Sequence, residues 1–258
     1  MSDQYRGALA PAAKKVTVPD LVALKREGKR ITMMTAYDAA FAGLVDQAGI
    51  DVILVGDMPF GSYQAGQQDA LRNAARFLKE AGMDAVKLEG GSETVDTVRA
   101  LVDNGIAVMA HVGLTPQRVA QLGGFKVQAK TARAARRLID DALALEDAGA
   151  FSIVLESVPS AVAALATERL AIPTIGIGAG AQCDGQVLVL HDVLGLFGEF
   201  KPKFAKRYAD LGAAAVEALR AFDRDVRAGA FPDDEHSFAM KESELLSLQR
   251  SLAQQKAS

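Results

Sequence analysis

The stretch VILVGDMPFGSYQAG, residues 52–66, decides how the rest of the chain is to be read. Its first four residues are apolar and mostly β-branched, as in a buried strand, and a glycine and an acid, Gly56 and Asp57, mark the change to a turn. A carboxylate at a strand end is placed for chemistry. The surrounding pattern predicts a helix and another strand after such a turn, yet MPFGSYQAG follows at once.

Working outward, short apolar runs recur at ITMMT (31–35), DVILV (51–55), DAVKL (84–88), IAVMA (106–110), FSIVL (151–155) and IPTIGI (172–177). Near-continuous apolar runs of this length predict strands buried on both faces, the habit of a parallel sheet. Between them, AAFAGLVDQAG (39–49), ALRNAARFLKEAG (70–82), ETVDTVRALVDNG (93–105) and ARAARRLIDDALALEDAG (132–149) carry apolar residues at helical spacing and end at glycine. The repeating unit is βα. Polar groups follow nearly every strand, namely Asp38, Asp57, Glu89, His111, Glu156 and the glycines after Ile177. This favours an α/β fold of the (β/α)8 TIM-barrel type over an open doubly wound sheet, because a barrel brings all C-terminal strand ends to one mouth. QVLVL (186–190) reads as a seventh strand or as the opening of a helix. No eighth strand is legible, so the expected barrel is one βα unit short.

The chain has 258 residues, half of them apolar, which suits one main domain of barrel size. The expected division is a flexible N-terminus (1–16), a catalytic barrel (17–238) with DLVALKREG as a helix capping its floor, and a helical tail (239–258). A formal net charge of −3 with no basic run argues against nucleic acid or an anionic membrane as partner. No apolar run approaches the roughly 18 residues of a membrane span. A single cysteine, Cys183, and an N-terminus without the apolar core of a secretion signal point to a reducing, cytoplasmic setting.

Lys87 and Glu89, in VKLEGG, share one strand face by the period of 2, so an ammonium and a carboxylate address the same mouth; the plainer reading is an ion pair at the rim. His111, in MAHVGLTPQ, directly follows a strand and is one of only three histidines. Glu156, in IVLESVP, is flanked by apolar residues that strip it of solvent and suit it to act as a general base. With no His/Cys cluster of zinc type, the oxygen ligands Asp57 and Glu89 suit a hard cation such as Mg2+, which commonly takes one or two carboxylates. GIGAG (176–180) lacks dinucleotide spacing, while a phosphate loop remains open. Tyr63, Cys183 and His191 have no evident constellation.

Taken jointly, TAYDAAFA (35–42), VKLEGG (86–91), HVGLTPQ (111–117), GGFKVQAK (123–130), DALALEDAGA (141–150), VLESVP (154–159), IPTIGIGAG (172–180), CDGQVLVLHD (183–192), PKFAKRY (202–208) and EHSF (235–238) resemble the ketopantoate hydroxymethyltransferase family. The resemblance implies a barrel assembling into a homo-oligomer, often a decamer. It also implies transfer of a hydroxymethyl group from 5,10-methylenetetrahydrofolate to 3-methyl-2-oxobutanoate with Mg2+, a step of pantothenate synthesis. By motif, Glu89 resembles a metal ligand, Lys87 and His111 resemble substrate-binding groups, and Glu156 resembles the proton acceptor. In the family, two aspartates stand where this chain has Asp57 alone, one at each end of a segment of about forty residues, roughly one helix and one strand. Asp57 therefore takes the metal and substrate roles of both. Two other readings are a barrel that keeps assembly or ligand binding without catalysis, and a phosphate-binding or lyase-type barrel.

Overall fold

The computed structural model describes residues 15–59, 61–198 and 201–255, so nearly all of the segment expected as a flexible N-terminus lies outside the described residues. Helix α1 (Val18–Arg26) precedes strand β1 (Ile31–Thr35), followed by α2 (Ala39–Gln47), β2 (Val52–Leu54), α3 (Gln67–Ala81), β3 (Val86–Glu89), α4 (Val95–Asp103) and β4 (Val108–Gly113). The short α5 (Val119–Leu122) and the long α6 (Ala132–Asp147) lead to β5 (Ser152–Glu156), α7 (Ser160–Arg169), β6 (Thr174–Ile177), β7 (Gly185–Leu188) and α8 (Leu190–Leu194). Local chemistry sets these bounds. Thr17 and Asp20 form a capping box at α1, with a proline in its first turn, and Asp38 caps α2 by accepting from the Phe41 N–H at 2.9 Å. Asp38 is thereby a structural cap.

All strand pairs are parallel, in the order β2-β1-β7-β6-β5-β4-β3. QVLVL resolves into both of its readings, since β7 ends at Leu188 and α8 begins at Leu190. The inward residues Ile31, Met33, Met109, Val154, Ile175, Ile177 and Val187 pack with Leu21 and Leu24 of α1, so the sheet curls around a core plugged at its floor by that helix. On the outside, Leu88, Val108, Ala110, Ile153 and Leu155 pack against Ala74, Val98, Leu101, Leu138, Ala142 and Ala163 of the covering helices. This is a barrel layering with seven strands.

One expectation needs correction. The strands were expected to be buried on both faces, which holds for β3 to β6 but not for β1, β2 and β7; Thr32 and Gln186, neighbours in the β1–β7 register, are exposed. The central strands lie under α3 to α7, whereas α2 covers only part of the β1–β2 outer face, through Val45, Phe41 and Ala42 against Met34 and Ile53. The sheet is also not closed by a β2–β3 pair among the described residues; these strands, consecutive in sequence, form its two edges. The opening falls where the helix and strand are missing after Asp57.

The chain divides into two compact units, the first ending at Tyr208 and the second beginning at Ala209. The second unit contains α9 (Leu211–Arg227), which carries exposed Leu219 and Phe222 and the ion pairs Arg220–Glu217 and Arg227–Asp223, and α10 (Glu242–Gln255). Among the described residues no helix is long and apolar enough to cross a membrane.

Candidate active site

The parallel register carries four of the predicted residues onto the inner face. Lys87 is level with Met109, Glu89 with His111, and Glu156 with Gly113, so their side chains rise together at the C-terminal end of the sheet above the apolar interior. Lys87, Glu89 and His111 are all buried, at 7%, 2% and 1% exposure. Three charged or titratable groups buried this deeply require partners. Asp57 comes from the turn after β2 and supplies one: Lys87 Nζ donates to its Oδ1 at 2.6 Å and its Oδ2 at 2.7 Å, and lies 3.0 Å from His111 Nδ1. The rim ion pair suggested by VKLEGG therefore exists, but Lys87 pairs with Asp57 rather than with Glu89.

His111 is the hub. Its Nδ1 lies 3.7 Å from both Asp57 Oδ2 and Glu89 Oε1, and its Nε2 lies 3.3 Å from Glu156 Oε2. The last contact is close enough for electrostatic attraction but is not aligned as a hydrogen bond, leaving the buried Nε2 without a partner. Glu156 is largely shielded, with 15% of its side chain exposed, in keeping with its apolar flanks. All five predicted site residues thus meet in one cluster.

Burial works to raise the Asp57 pKa, but the contacts with His111 and Lys87 outweigh it and hold this carboxyl below the usual range. Glu89 goes the other way: burial, then its proximity to the Asp57 carboxyl, push it up to about 7. For His111, burial and the Lys87 charge act downward, yet the Asp57 and Glu156 carboxylates prevail and raise it. One of the two neighbouring acids stays ionised while the other keeps a proton near neutrality, as expected of like charges at close range.

Asp57, Glu89 and His111 each present a ligand atom, all within 4.8 Å of one another. Two carboxylates and an imidazole form a donor set with room for substrate oxygens and water around a hard divalent cation, so the residues fit Mg2+. The raised Glu89 pKa fits as well, because a second buried carboxylate beside Asp57 is satisfied by added positive charge.

Tyr63, which has no evident constellation in the sequence, has one in the structure. Buried to 3% exposure, its hydroxyl accepts from Glu89 N–H at 3.1 Å and donates to Glu89 C=O at 3.1 Å. Gln117 was likewise not singled out; its backbone N–H donates to Glu89 Oε2 at 3.0 Å and its Nε2 to Met58 C=O at 2.8 Å. The signal for Gln117 was its place at the end of HVGLTPQ, while Tyr63 had none beyond the turn itself. In GIGAG, by contrast, Gly178 (φ +62°) and Gly180 (φ +86°) leave the space filled by Phe204 and Ser160, a packing reason for glycine.

The model of ketopantoate hydroxymethyltransferase matches residues 15–58 and 55–234, two pieces that meet at the turn holding Asp57. The chain belongs to the ketopantoate hydroxymethyltransferase family. It is 51% identical over 267 residues to the 3-methyl-2-oxobutanoate hydroxymethyltransferase of Heliobacterium modesticaldum, covering 88% of this chain and 97% of the relative. The enzyme of the same name from Nitratidesulfovibrio vulgaris is 51% identical over 260 residues, covering 85% of each chain. Since 88% of 258 residues is about 227, about 40 of the 267 positions aligned with the Heliobacterium hydroxymethyltransferase have no residue here. Among solved structures, phosphonopyruvate hydrolase aligns with a TM-score of 0.48 at 16% identity, over 93% of this chain and 97% of the other.

Proposed function

We propose that this protein transfers a hydroxymethyl group from 5,10-methylenetetrahydrofolate to 3-methyl-2-oxobutanoate, giving 2-dehydropantoate for pantothenate synthesis. The observation that carries the reading is the meeting of Asp57, Lys87, Glu89, His111 and Glu156 around one polar centre at the strand ends. Asp57 and Glu89 are the carboxylates that would hold Mg2+, with His111 beside them. When bound, the ion supplies a Lewis acid that polarises the oxo acid's carboxylate and keto oxygen.

The chain's own groups divide the remaining work. His111 and Lys87 together keep Asp57 ionised, and the Lys87 ammonium adds positive charge to a site that must take an anionic substrate. Glu156 removes the proton from C3 of the oxo acid, and the carbanion so formed bonds to the one-carbon unit of the folate; the two bonds from that carbon to nitrogen break, water supplies the hydroxyl oxygen, and tetrahydrofolate leaves with its nitrogens protonated. His111, 3.3 Å from the Glu156 carboxylate, orients that base and offers Nε2 as a donor. The shielding of the cluster from water strengthens each of these interactions.

The reading carries with it a cytoplasmic location and a homo-oligomer of the decameric kind, which sedimentation of the purified protein measures directly. The functional test is hydroxymethyl transfer with Mg2+, the folate donor and the oxo acid. Glu156→Gln is expected to abolish exchange of the C3 proton with solvent while Mg2+ still binds. A fully folded wild-type protein without transfer activity would favour a barrel that binds and assembles only, and unchanged C3 exchange in Glu156→Gln would remove Glu156 as the base.

A further inference from the structure

Among the described residues, the edge of β3 that faces away from β4 has no strand beside it. Val86 and Gly90 donate their N–H groups to Ala107 and His111 on the β4 side, so the backbone groups of Lys87 and Glu89 face the open side. In an intact barrel that side carries a neighbouring strand. Here the turn after Asp57 stands there instead. Met58 N–H donates to Lys87 C=O at 3.1 Å, and the Tyr63 hydroxyl pairs with both the N–H and the C=O of Glu89. A hydroxyl has one proton to give and lone pairs to receive. Its shorter donation, 3.1 Å, goes to Glu89 C=O, while Gln117 Oε1 lies farther off at 3.4 Å.

We propose that Tyr63 is a positioning residue for the cation site, its hydroxyl acting as a one-atom substitute for a strand partner that fixes the backbone of Glu89 and so aims its carboxylate. The inference rests on the functional reading above, in that Glu89 is taken as a ligand to Mg2+. Three observations carry it. Both main-chain groups of the ligand residue end on one side-chain atom. That side chain is almost fully buried, so its ring is held in place by packing and its hydroxyl is kept at the Glu89 backbone. Finally, the carboxylate of the same residue is held at its other end by Gln117 N–H, so Glu89 is pinned at backbone and tip by separate loops. Gln64 Nε2, 3.2 Å from Gln117 Oε1, links the two loops. Groups that orient metal ligands from behind are commonly worth 10- to 100-fold in metal affinity.

The test is Tyr63→Phe, which keeps the ring and its packing and deletes the hydroxyl. Mg2+ binding is measured by calorimetry without substrate, and amide exchange over residues 86–90 is followed by mass spectrometry in the metal-free protein. The expected result is Mg2+ binding weakened by about 10- to 100-fold, with faster exchange of the Glu89 amide and an unchanged KM for the folate donor. Gln117→Met removes the Oε1 and Nε2 contacts but leaves the Tyr63–Glu89 pair, and is expected to give a smaller loss of affinity. Unchanged Mg2+ affinity in Tyr63→Phe beside a wild type that binds the ion, even with a lower melting temperature, overturns the proposal alone. Unchanged exchange at Glu89 overturns it too. A wild type that binds no Mg2+ overturns the functional reading and the proposal together.

Discussion

Replacing Lys87 by Met tests the electrostatic account of the cluster. The ammonium lies over both oxygens of Asp57, at 2.6 and 2.7 Å, with 7% of the Lys87 side chain and 15% of the Asp57 side chain exposed. Removing one partner of a buried pair strands the other charge, at a cost of about 3–5 kcal/mol. For a domain of this size each kcal/mol moves the melting temperature by about 2–4 °C, so the variant should melt about 6–20 °C lower. The sign of the pH dependence is the sharper test. In the wild type the Asp57 pKa is depressed, so its contribution is present above the unfolded pKa and is lost only as pH falls through the folded value. Without Lys87, burial is opposed only by the contacts with His111 and Glu89, and the Asp57 pKa moves up from its wild-type position. The penalty then grows with pH and is relieved on acidification, by up to about 1.4 kcal/mol per pH unit. Melting curves at pH 4 and 8 in chelator, repeated with Mg2+, measure this. The deficit should be larger at pH 8 and partly recovered with Mg2+, which returns positive charge to the carboxylates. Wild-type melting at pH 8 without metal, or a deficit indifferent to both pH and Mg2+, would refute the reasoning.

The remaining predictions concern the metal and the base. Because Glu89 holds its proton up to about pH 7, Mg2+ must displace that proton below this value, so affinity should fall by up to about tenfold per pH unit on acidification and level off above neutrality. Calorimetric titrations between pH 5.5 and 8.5 measure it, and a flat profile contradicts the assignment. A Cβ at Gly113, where φ is +101°, would come within 2.3 Å of the Glu156 carbonyl oxygen, which also accepts from Leu114 N–H at 2.8 Å. Gly113→Ala should therefore shift the base and lower kcat for transfer by about 100-fold, as displacements near 1 Å do, with Mg2+ affinity close to wild type; an unchanged kcat would show that the Glu156 backbone need not sit there. Ser157 has φ +50° and is held by its N–H to Ile177 C=O and its C=O from Gln128 N–H, both 2.8 Å. Glycine tolerates that conformation, so Ser157→Gly should change stability by no more than about 1 kcal/mol in chemical unfolding, whereas Ser157→Val should cost more.

Much of this site was legible because strand register is periodic. Lys87, Glu89, His111 and Glu156 each sit at a predicted strand end, and the period of 2 puts Lys87 and Glu89 on one face. β3 to β6 were legible for the same reason, being central strands with apolar residues toward both layers. What escaped was set by tertiary contact. Lys87 has a carboxylate two residues away in sequence, yet its partner is Asp57, 30 positions back and on another strand's turn. Tyr63 and Gln117 act from irregular loops, where no periodicity tells which side chain points inward. The exposed faces of β1 and β7 depend on which helices cover them, a matter of layer packing that an apolar run does not encode.

The strand order has a consequence for how the chain becomes a sheet at all. Among the described residues, β1 and β2 pair with the other strands only through the β1–β7 ladder, which joins Ile31 to Gly185, about 150 positions later. During synthesis, β3 to β6 can pair with sequence neighbours as they emerge, but the N-terminal β1–α2–β2 piece must wait until β7 has been made. In most barrels of this plan a strand beside β2 would tether it sooner. This chain instead has one long-range ladder to close, and the N-terminal β1–α2–β2 piece joins the sheet as a strand layer only when that ladder forms.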